Sequence, residues 1–490
     1  MSKKIFELRY IFGLKLKELR QSQQLTYQTL SEKSGLSVSY LSEIETGKKY
    51  PKGDKISQLA EALGVPYDEL VSIQVPEKLK PIIHVIESDL MKHFPLEEFG
   101  LNPQKVVEVV SQDPYKINAF IETILQISRA YELTSSKFFS AALKAYQELH
   151  NSYFEDIEED VQTVHLEFTE LADVPFTPKE VEGVLLKLGV RIDYERLPGN
   201  DLLKDIRSLY HPDQRLLMIN QGLTQGQQNF IMGREIAFQW MRLKNRPATT
   251  PRTGEFGFDE ALNDFKASYF SAALLMPRSQ VLEDIQNFAR LEQWDPQRFI
   301  QMASKYEATP EMVMQRLTNL LPQDFGVRKM FFVRIVYTEG VYHIRKEIHL
   351  AGSNQPQGNE SKEHYCRRWS GIHVIEQLKL QSETSMMTHA QLSRYYGSED
   401  EFFCISTGFT NVSNTKEYIS VTVGFLVDRS LKQKAKFIGL DPGIPKVEVN
   451  VTCESCPISD CSERVAPGVS LAHRKQKQSV QEAIDRVLKA

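Results

Sequence analysis

The segment L-T-Y-Q-T-L-S-E-K-S-G-L-S-V-S-Y-L-S-E-I-E-T-G-K-K, residues 25–49, constrains this 490-residue chain more tightly than any other stretch. Leu30, Leu41 and Ile44 recur at helical spacing, Gly35 interrupts the pattern, and Thr26 and Ser37 stand where a side-chain oxygen caps a helix start. Two short helices joined by a tight turn follow from that. Phe12, Leu16 and Leu19 predict a helix before them; Ile56, Leu59 and Leu63 predict one after Pro51, ended by Gly64, and Pro66 opens a last short helix. Their apolar stripes are suited to one small core, so residues 8–72 form an all-α unit of five helices.

Five helices in this order make a helix-turn-helix domain, and its S-G-L-S-V-S-Y-L-S-E-I-E-T-G-K run closely resembles the XRE or Cro-like repressor family. The resemblance implies that the helix capped by Ser37 lies in the DNA major groove, with Val38, Ser39, Ser42 and Glu43 toward base edges and Tyr40 on the same helix. Tyr27 and Gln28, opening the preceding helix, reach the backbone or a flanking base. Lys48, Lys49 and Lys52 neutralise phosphates. Charge agrees: residues 1–55 carry eleven Lys or Arg against six Asp or Glu, although the whole chain is acidic at −5. A helical protein–protein module is the alternative for such a fold; the expected partner is a double-stranded DNA operator bound by a homodimer.

A chain of this length with 41% hydrophobic and 25% charged residues supports several cores, about three domains. No run of eighteen apolar residues and no signal-like N-terminus occurs, so a cytoplasmic protein with no membrane partner is expected. Residues 75–165 carry no chemistry. Pro76, Pro81, Pro95, Pro103 and Pro114 punctuate short helices, and a longer one is expected from Ser135 to Phe154, ended by the acidic run E-D-I-E-E-D at 155–160. A helical spacer that also dimerises fits this segment.

From residue 166 to 323 the pattern changes. Val190–Tyr194 and Arg215–Asn220 predict strands, and two helices follow, one carrying N-F-I-M-G-R-E-I-A-F-Q-W-M and one carrying F-K-A-S-Y-F-S-A-A-L-L-M-P. This order resembles the ImmA/IrrE-type metallopeptidases, whose H-E-x-x-H helix places two His on one face and a Glu beside the metal-bound water. Here those positions are Arg234, Glu235 and Phe238, and the third ligand position is Lys266. None of these three ligand positions holds a zinc donor. The expectation is a degenerate zincin-like α+β domain with no catalytic residue, in which Glu235 pairs with Arg234, Lys266 or a ligand, and Arg234 and Lys266 form either an anion pocket or surface ion pairs.

Residues 324–490 predict a mainly β domain, with strands at Lys329–Tyr337, Val341–Ile344, Phe402–Ser406 and Tyr418–Val427, a loop at Ala351–Ser361 and a helix over 371–380. Three of the five cysteines, Cys453, Cys456 and Cys461, then fall within nine positions. Thiolates so spaced in a reducing compartment suit a metal, and Cys366, in C-R-R-W, is the candidate fourth ligand. Zinc, an iron–sulfur cluster or unmetallated thiols all remain open, and Cys404 reads as a buried free thiol. The C-x-x-W element followed by C-x2-C-x4-C-x-x-R resembles the short-chain fatty-acyl transcriptional regulators, which join an XRE-type reader to a degenerate ImmA/IrrE-like domain. That resemblance implies a small acyl effector.

The expected architecture is therefore multidomain: an all-α helix-turn-helix domain (1–74), a helical linker (75–165), a degenerate zincin-like domain (166–323) and a mainly β sensor domain with a Cys-rich tail (324–490). The expected function is sequence-specific transcriptional regulation in response to an acyl or redox signal. A repressor-cleaving metallopeptidase and an antitoxin-like binding module are the alternatives.

Overall fold

The computed structural model describes residues 3–72, 135–168, 174–197, 205–254, 256–350, 364–381, 386–411 and 414–468, with shorter pieces between and after them. Most of the expected linker, and the loop Ala351–Ser361, lie outside the described residues. Two compact units result: Met1–Tyr146 with Glu255–Phe258, and Gln147–Gly254 with Asp259–Ala490.

In the first unit α1 (Lys3–Ser22), α2 (Tyr27–Ser34), α3 (Val38–Glu45), α4 (Gly53–Leu63) and α5 (Tyr67–Val71) enclose one core. Thr26 and Ser37 cap α2 and α3 as their chemistry dictates, accepting from the Thr29 and Tyr40 amides. Gly35 and Gly64 end α2 and α4 in the left-handed conformation that favours glycine. Phe12, Leu16, Leu30, Leu41, Ile44, Ile56, Leu59 and Leu63 are all buried in that core. A side chain at Gly13 would strike the Ile44 and Glu45 carbonyls, so glycine there lets α1 lie against the end of α3. The orientation of α3 is then fixed by charge. Arg20 donates to both Glu45 carboxylate oxygens, at 2.7 and 2.9 Å, and the Tyr27 hydroxyl donates to Glu45 at 2.7 Å.

α6 (Ser135–Leu149) spans the boundary between the two units at Tyr146, and α7 (Glu155–Glu167) belongs to the second. The acidic run at 155–160 does not end a helix, as expected from sequence, but begins α7. Glu155, Asp156 and Glu158 occupy its first turn, where carboxylates are favoured by the amide dipoles. The break falls earlier, at Asn151 and Ser152, both left-handed with φ of 51° and 55°. Glu158 is buried, and burial raises its pKa, but the Arg316 guanidinium outweighs that and leaves the net shift downward. Arg316 bonds it at 2.5 and 2.9 Å and Tyr269 at 2.8 Å.

A small sheet of order β1-β3-β2-β4 comes next, from β1 (Arg191–Asp193), β2 (Ser208–His211), β3 (Leu216–Ile219) and the two-residue edge β4 (Thr249–Thr250). α8 (Pro178–Lys187) packs on α9 (Gln225–Trp240), which also contacts β3. α10 (Phe258–Leu275) follows, and Gly233 admits it closely, since a Cβ there would meet Ser271.

After α11 (Arg278–Ala289), α12 (Pro296–Ser304) and α13 (Pro310–Asp324) comes a six-stranded sheet of order β10-β7-β8-β9-β5-β6. Its strands are β5 (Met330–Thr338), β6 (Val341–Leu350), β7 (Met386–Tyr395), β8 (Glu401–Asn411), β9 (Asn414–Leu426) and β10 (Lys446–Val449). All pairings are antiparallel except β10 with β7. Both faces are covered, which is why β5 reads as a nearly continuous apolar run. Met330 and Phe332 face a core shared with α12 and α13, with α15 (Arg429–Lys434) and α16 (Phe437–Leu440). Phe331, Val333 and Ile335 face α14 (Ser370–Leu380). No described helix is long and apolar enough to cross a membrane.

Glu45→Ala should strip Arg20 of its buried partner and lower the opening free energy of α3 by about 3 kcal/mol. Native-state hydrogen exchange of the α3 amides measures this; a change under about 1 kcal/mol would show that the pair does not anchor the helix.

Candidate nucleic-acid interface and sensor sites

The first residues of α3 form an open polar surface. Ser37, Val38 and Ser39 are exposed, Tyr40, Ser42 and Glu43 half-buried, and Gln28, Lys48, Lys49 and Lys52 exposed on the neighbouring turns. Glu43 and Lys49 pair at 2.7 Å, and the Lys49 ammonium stands 5.7 Å from the Tyr40 ring, so these three side chains order one another. Tyr27, expected from sequence to reach DNA, is committed inward: its hydroxyl bonds Glu45 and its ring lies 4.1 Å from the Arg20 guanidinium. Burial, with the Glu45 carboxylate beside it, pushes its pKa up to about 12.

The α9 site departs from expectation in its partners. Glu235 bonds neither Arg234 nor Lys266. Its buried carboxylate takes both ends of the Arg246 guanidinium, at 2.8 and 2.5 Å, and a 2.7 Å bond from Gln239. The Arg246 guanidinium lies 3.8 Å from the Phe238 ring centre and 4.2 Å from that of Tyr210, in cation–π range of both. Arg234 makes no surface ion pair: it is buried, donates to Thr250 Oγ1 at 2.6 Å and pairs with Asp264. Burial lowers the Arg234 pKa, with Asp264 pulling the other way. Arg252 stands 3.5 Å from the second Asp264 oxygen. Lys266 is half-buried. Thus the cation held beside Glu235 is an arginine. Arg246, Asp264 and Tyr210 carried no sequence signal, because each lies outside the motif spacing and meets it only through the fold.

The cysteine tail is gathered around β10. Cys366 N donates to Val451 O at 3.1 Å, Cys453 N to His364 O at 2.7 Å, and Tyr365 and Thr452 form a β-bridge. Cys366, Cys453 and Cys456 are buried and Cys461 half-buried. Burial pushes the Cys366 thiol up to about 11, with neighbouring Cys453 and Cys456 adding to the rise. Arg464 binds the Cys453, Cys456 and Ile458 carbonyls at 2.7, 3.2 and 2.5 Å, clamping the loop. Soft thiol donors suit zinc or an iron–sulfur cluster. Among the described residues, however, no group of three or more His, Cys, Asp or Glu side chains stands in metal-holding geometry. Cys404 is buried on β8, its thiol raised to about 12 by burial.

A separate apolar cavity of about 90 Å³, partly open to solvent, lies between α11–α13, α15–α16 and the sheet. Phe288, Phe299, Leu317, Phe403, Phe425 and Phe437 line it, and Lys434 adds only its aliphatic stem, its ammonium being bonded to the Phe325 carbonyl and the Ser430 hydroxyl.

Comparison with known proteins places two family descriptions on this geometry: a helix-turn-helix over residues 16–70 and an IrrE N-terminal-like domain over residues 186–318. The HTH-type transcriptional repressor RghR of Bacillus subtilis is 44% identical over 61 residues, 12% of this chain and 45% of that protein. The chain thus spans less than half the length of this relative. The HTH-type transcriptional regulator y4dJ of Sinorhizobium fredii is 36% identical over 66 residues, 14% of this chain and 86% of that protein. A solved Mycobacterium tuberculosis transcriptional regulator aligns with TM-score 0.48 and 16% identity over 68% of this chain and 94% of that one.

Glu235→Ala leaves Arg246 buried without its carboxylate, an expected loss of about 3 kcal/mol that lowers the thermal midpoint by roughly 5 °C or more. Lys266→Ala, which removes no bond of this network, should move it by under about 1 °C. Equal effects of the two variants in a melting experiment would contradict the assigned pairing.

Proposed function

Because the chain belongs to the HTH-type transcriptional regulators through residues 16–70 and carries an IrrE N-terminal-like domain behind them, we propose that it is a sequence-specific DNA-binding transcriptional regulator, cytoplasmic and homodimeric, whose second unit senses a signal. The observation that carries this reading is the presented face of α3. Its capped first turn and exposed Val38 and Ser39 are held in place by the buried Arg20–Glu45 pair. A helix so anchored enters the major groove without first paying an ordering cost. The peptidase-like domain serves as scaffold and not as hydrolase, since Arg234, Phe238 and Lys266 supply no metal donor and Glu235 is held by Arg246.

The sensing parts are proposals on the same footing. Cys366, Cys453, Cys456 and Cys461 hold one metal centre, zinc or iron–sulfur. The main-chain pairing of residues 364–366 with 451–453 supports this by bringing a remote cysteine to the clustered ones. The Phe-lined cavity takes a small acyl effector, supported by its apolar wall.

Replacing Ser39 and Ser42 together with Glu sets two carboxylates against DNA and should weaken operator binding by about 100-fold or more with the fold intact. Lys48→Ala should instead weaken binding to all sequences and reduce the salt slope by about 1. Electrophoretic mobility shifts across a salt series separate the two; unchanged binding by the double variant removes α3 as the reading helix.

For the metal centre, each of Cys366→Ser, Cys453→Ser, Cys456→Ser and Cys461→Ser should lose bound metal, whereas Cys404→Ser should keep it. Elemental analysis with an anaerobic absorption spectrum decides this. Full metal content in the Cys366 variant excludes that residue as a ligand.

A further inference from the structure

The Arg246 cage has the form of a recognition site whose occupant belongs to the same chain. One wall is the Glu235 carboxylate, 1% exposed and holding the guanidinium through two parallel bonds. The others are the Phe238 and Tyr210 rings. Gln239 fixes the frame by donating from one amide nitrogen to both Glu235, at 2.7 Å, and the Tyr210 hydroxyl, at 3.1 Å. The competing cations Arg234 and Arg252 are both turned toward Asp264, so the Glu235 charge is reserved for what enters between the rings.

Arg246 enters from outside the α9 helix. It sits on the 241–250 loop, in which Arg242, Lys244, Asn245 and Ala248 are exposed, and its own side chain keeps 16% exposure, so the cage reaches solvent along the loop. Apart from the Arg246–Glu235 pair, residues 244–247 are tied, among the described residues, only through Asn245, whose carbonyl accepts from Asn263 at 2.8 Å and whose side-chain amide donates to Asp259 at 3.3 Å. Leu243 N to Phe238 O at 3.1 Å, Tyr210 N to Ala248 O at 2.9 Å, Arg207 N to Thr250 O at 2.6 Å, Arg234 to Thr250 Oγ1 at 2.6 Å and β4 hold the loop at its two ends. The fit within is incomplete, since Arg246 Nε is buried with no hydrogen-bond partner.

We propose that Glu235, Phe238 and Tyr210 form a guanidinium-binding site, that Arg246 is its built-in occupant, and that an external guanidinium takes its place when the 241–250 loop lifts. The ligand class follows from the shape. A planar fork matches both carboxylate oxygens while its faces stack on two rings, whereas a tetrahedral ammonium bridges one oxygen at a time and stacks poorly. A vacated cage would leave a carboxylate buried and uncompensated, which drives it to take up a cation of the same shape. The source is either a small guanidinium compound or the arginine of a peptide.

The test is chemical rescue in the full chain. Arg246→Ala should lower the thermal midpoint and speed hydrogen exchange of the 241–250 loop. Ethylguanidinium at millimolar concentration should restore the midpoint in this variant, with a Kd on the order of 1 mM. Ethylammonium should restore less than a tenth as much at equal concentration. Neither should act on the E235Q/R246A double variant. Should Arg246→Ala fail to fold, Arg246→Lys takes its place under the same criteria. Agmatine and an acetylated, amidated Gly-Arg-Gly peptide then separate the sources: rescue by agmatine alone marks a small-molecule site, and rescue by the peptide marks one open to arginine-bearing segments. The proposal is overturned if ethylguanidinium shifts the single and double variants equally, if ethylammonium matches it, or if the folded single variant does not respond.

Discussion

A carboxylate taken almost wholly out of water must keep a cation beside it or lose its charge, and that requirement at Glu235 organises the α9 site. In a metallopeptidase of this pattern the cation is the metal, held by flanking histidines. Here the flanking positions are an arginine and a phenylalanine, and the requirement is met by Arg246, delivered from a loop and stacked on Phe238. Phe238 is thus more than a missing ligand, since its ring face forms part of the cation's seat. Arg234 in turn needs an anion, and Asp264 supplies one from α10. Two ion pairs therefore tie α9, α10 and the loop between them into one block.

The same rule holds the other parts of the chain together. Arg20–Glu45 sets the orientation of α3 against α1, and Glu158–Arg316 joins α7 to α13 with Tyr269 of α10 between them. In each case one partner is short and the other a forked guanidinium, which satisfies two acceptor oxygens at once. Such pairs add little net stability over an apolar pair of equal size, but they tolerate only one geometry. For a chain that presents one helix to DNA, that geometric demand is the useful property.

What was legible in the sequence was whatever local spacing dictates. The caps at Thr26 and Ser37, the glycine stops and the aliphatic stripes gave the first unit helix by helix, and the apolar runs at 330–337 and 418–426 gave the central strands. β7 went unread because M-M-T-H-A-Q-L-S-R-Y carries polar residues at buried positions. Gln391 and Ser393 bond each other there, and Gln391 also reaches the Arg368 carbonyl. The run at 155–160 reads as a stop because clustered acids look like solvated chain, whereas in a first turn they favour the helix. At α9 the absence of metal donors was legible and the replacement was not, since Arg246 and Asp264 meet Glu235 and Arg234 only through the fold.

The most direct measurement is an anomalous difference map, recorded at the zinc edge, from crystals of the full chain soaked in Zn2+. The account predicts no peak within about 2.1 Å of the Glu235 carboxylate and continuous density for the Arg246 fork across both of its oxygens. A zinc peak coordinated by Glu235, with Arg246 displaced, would contradict it.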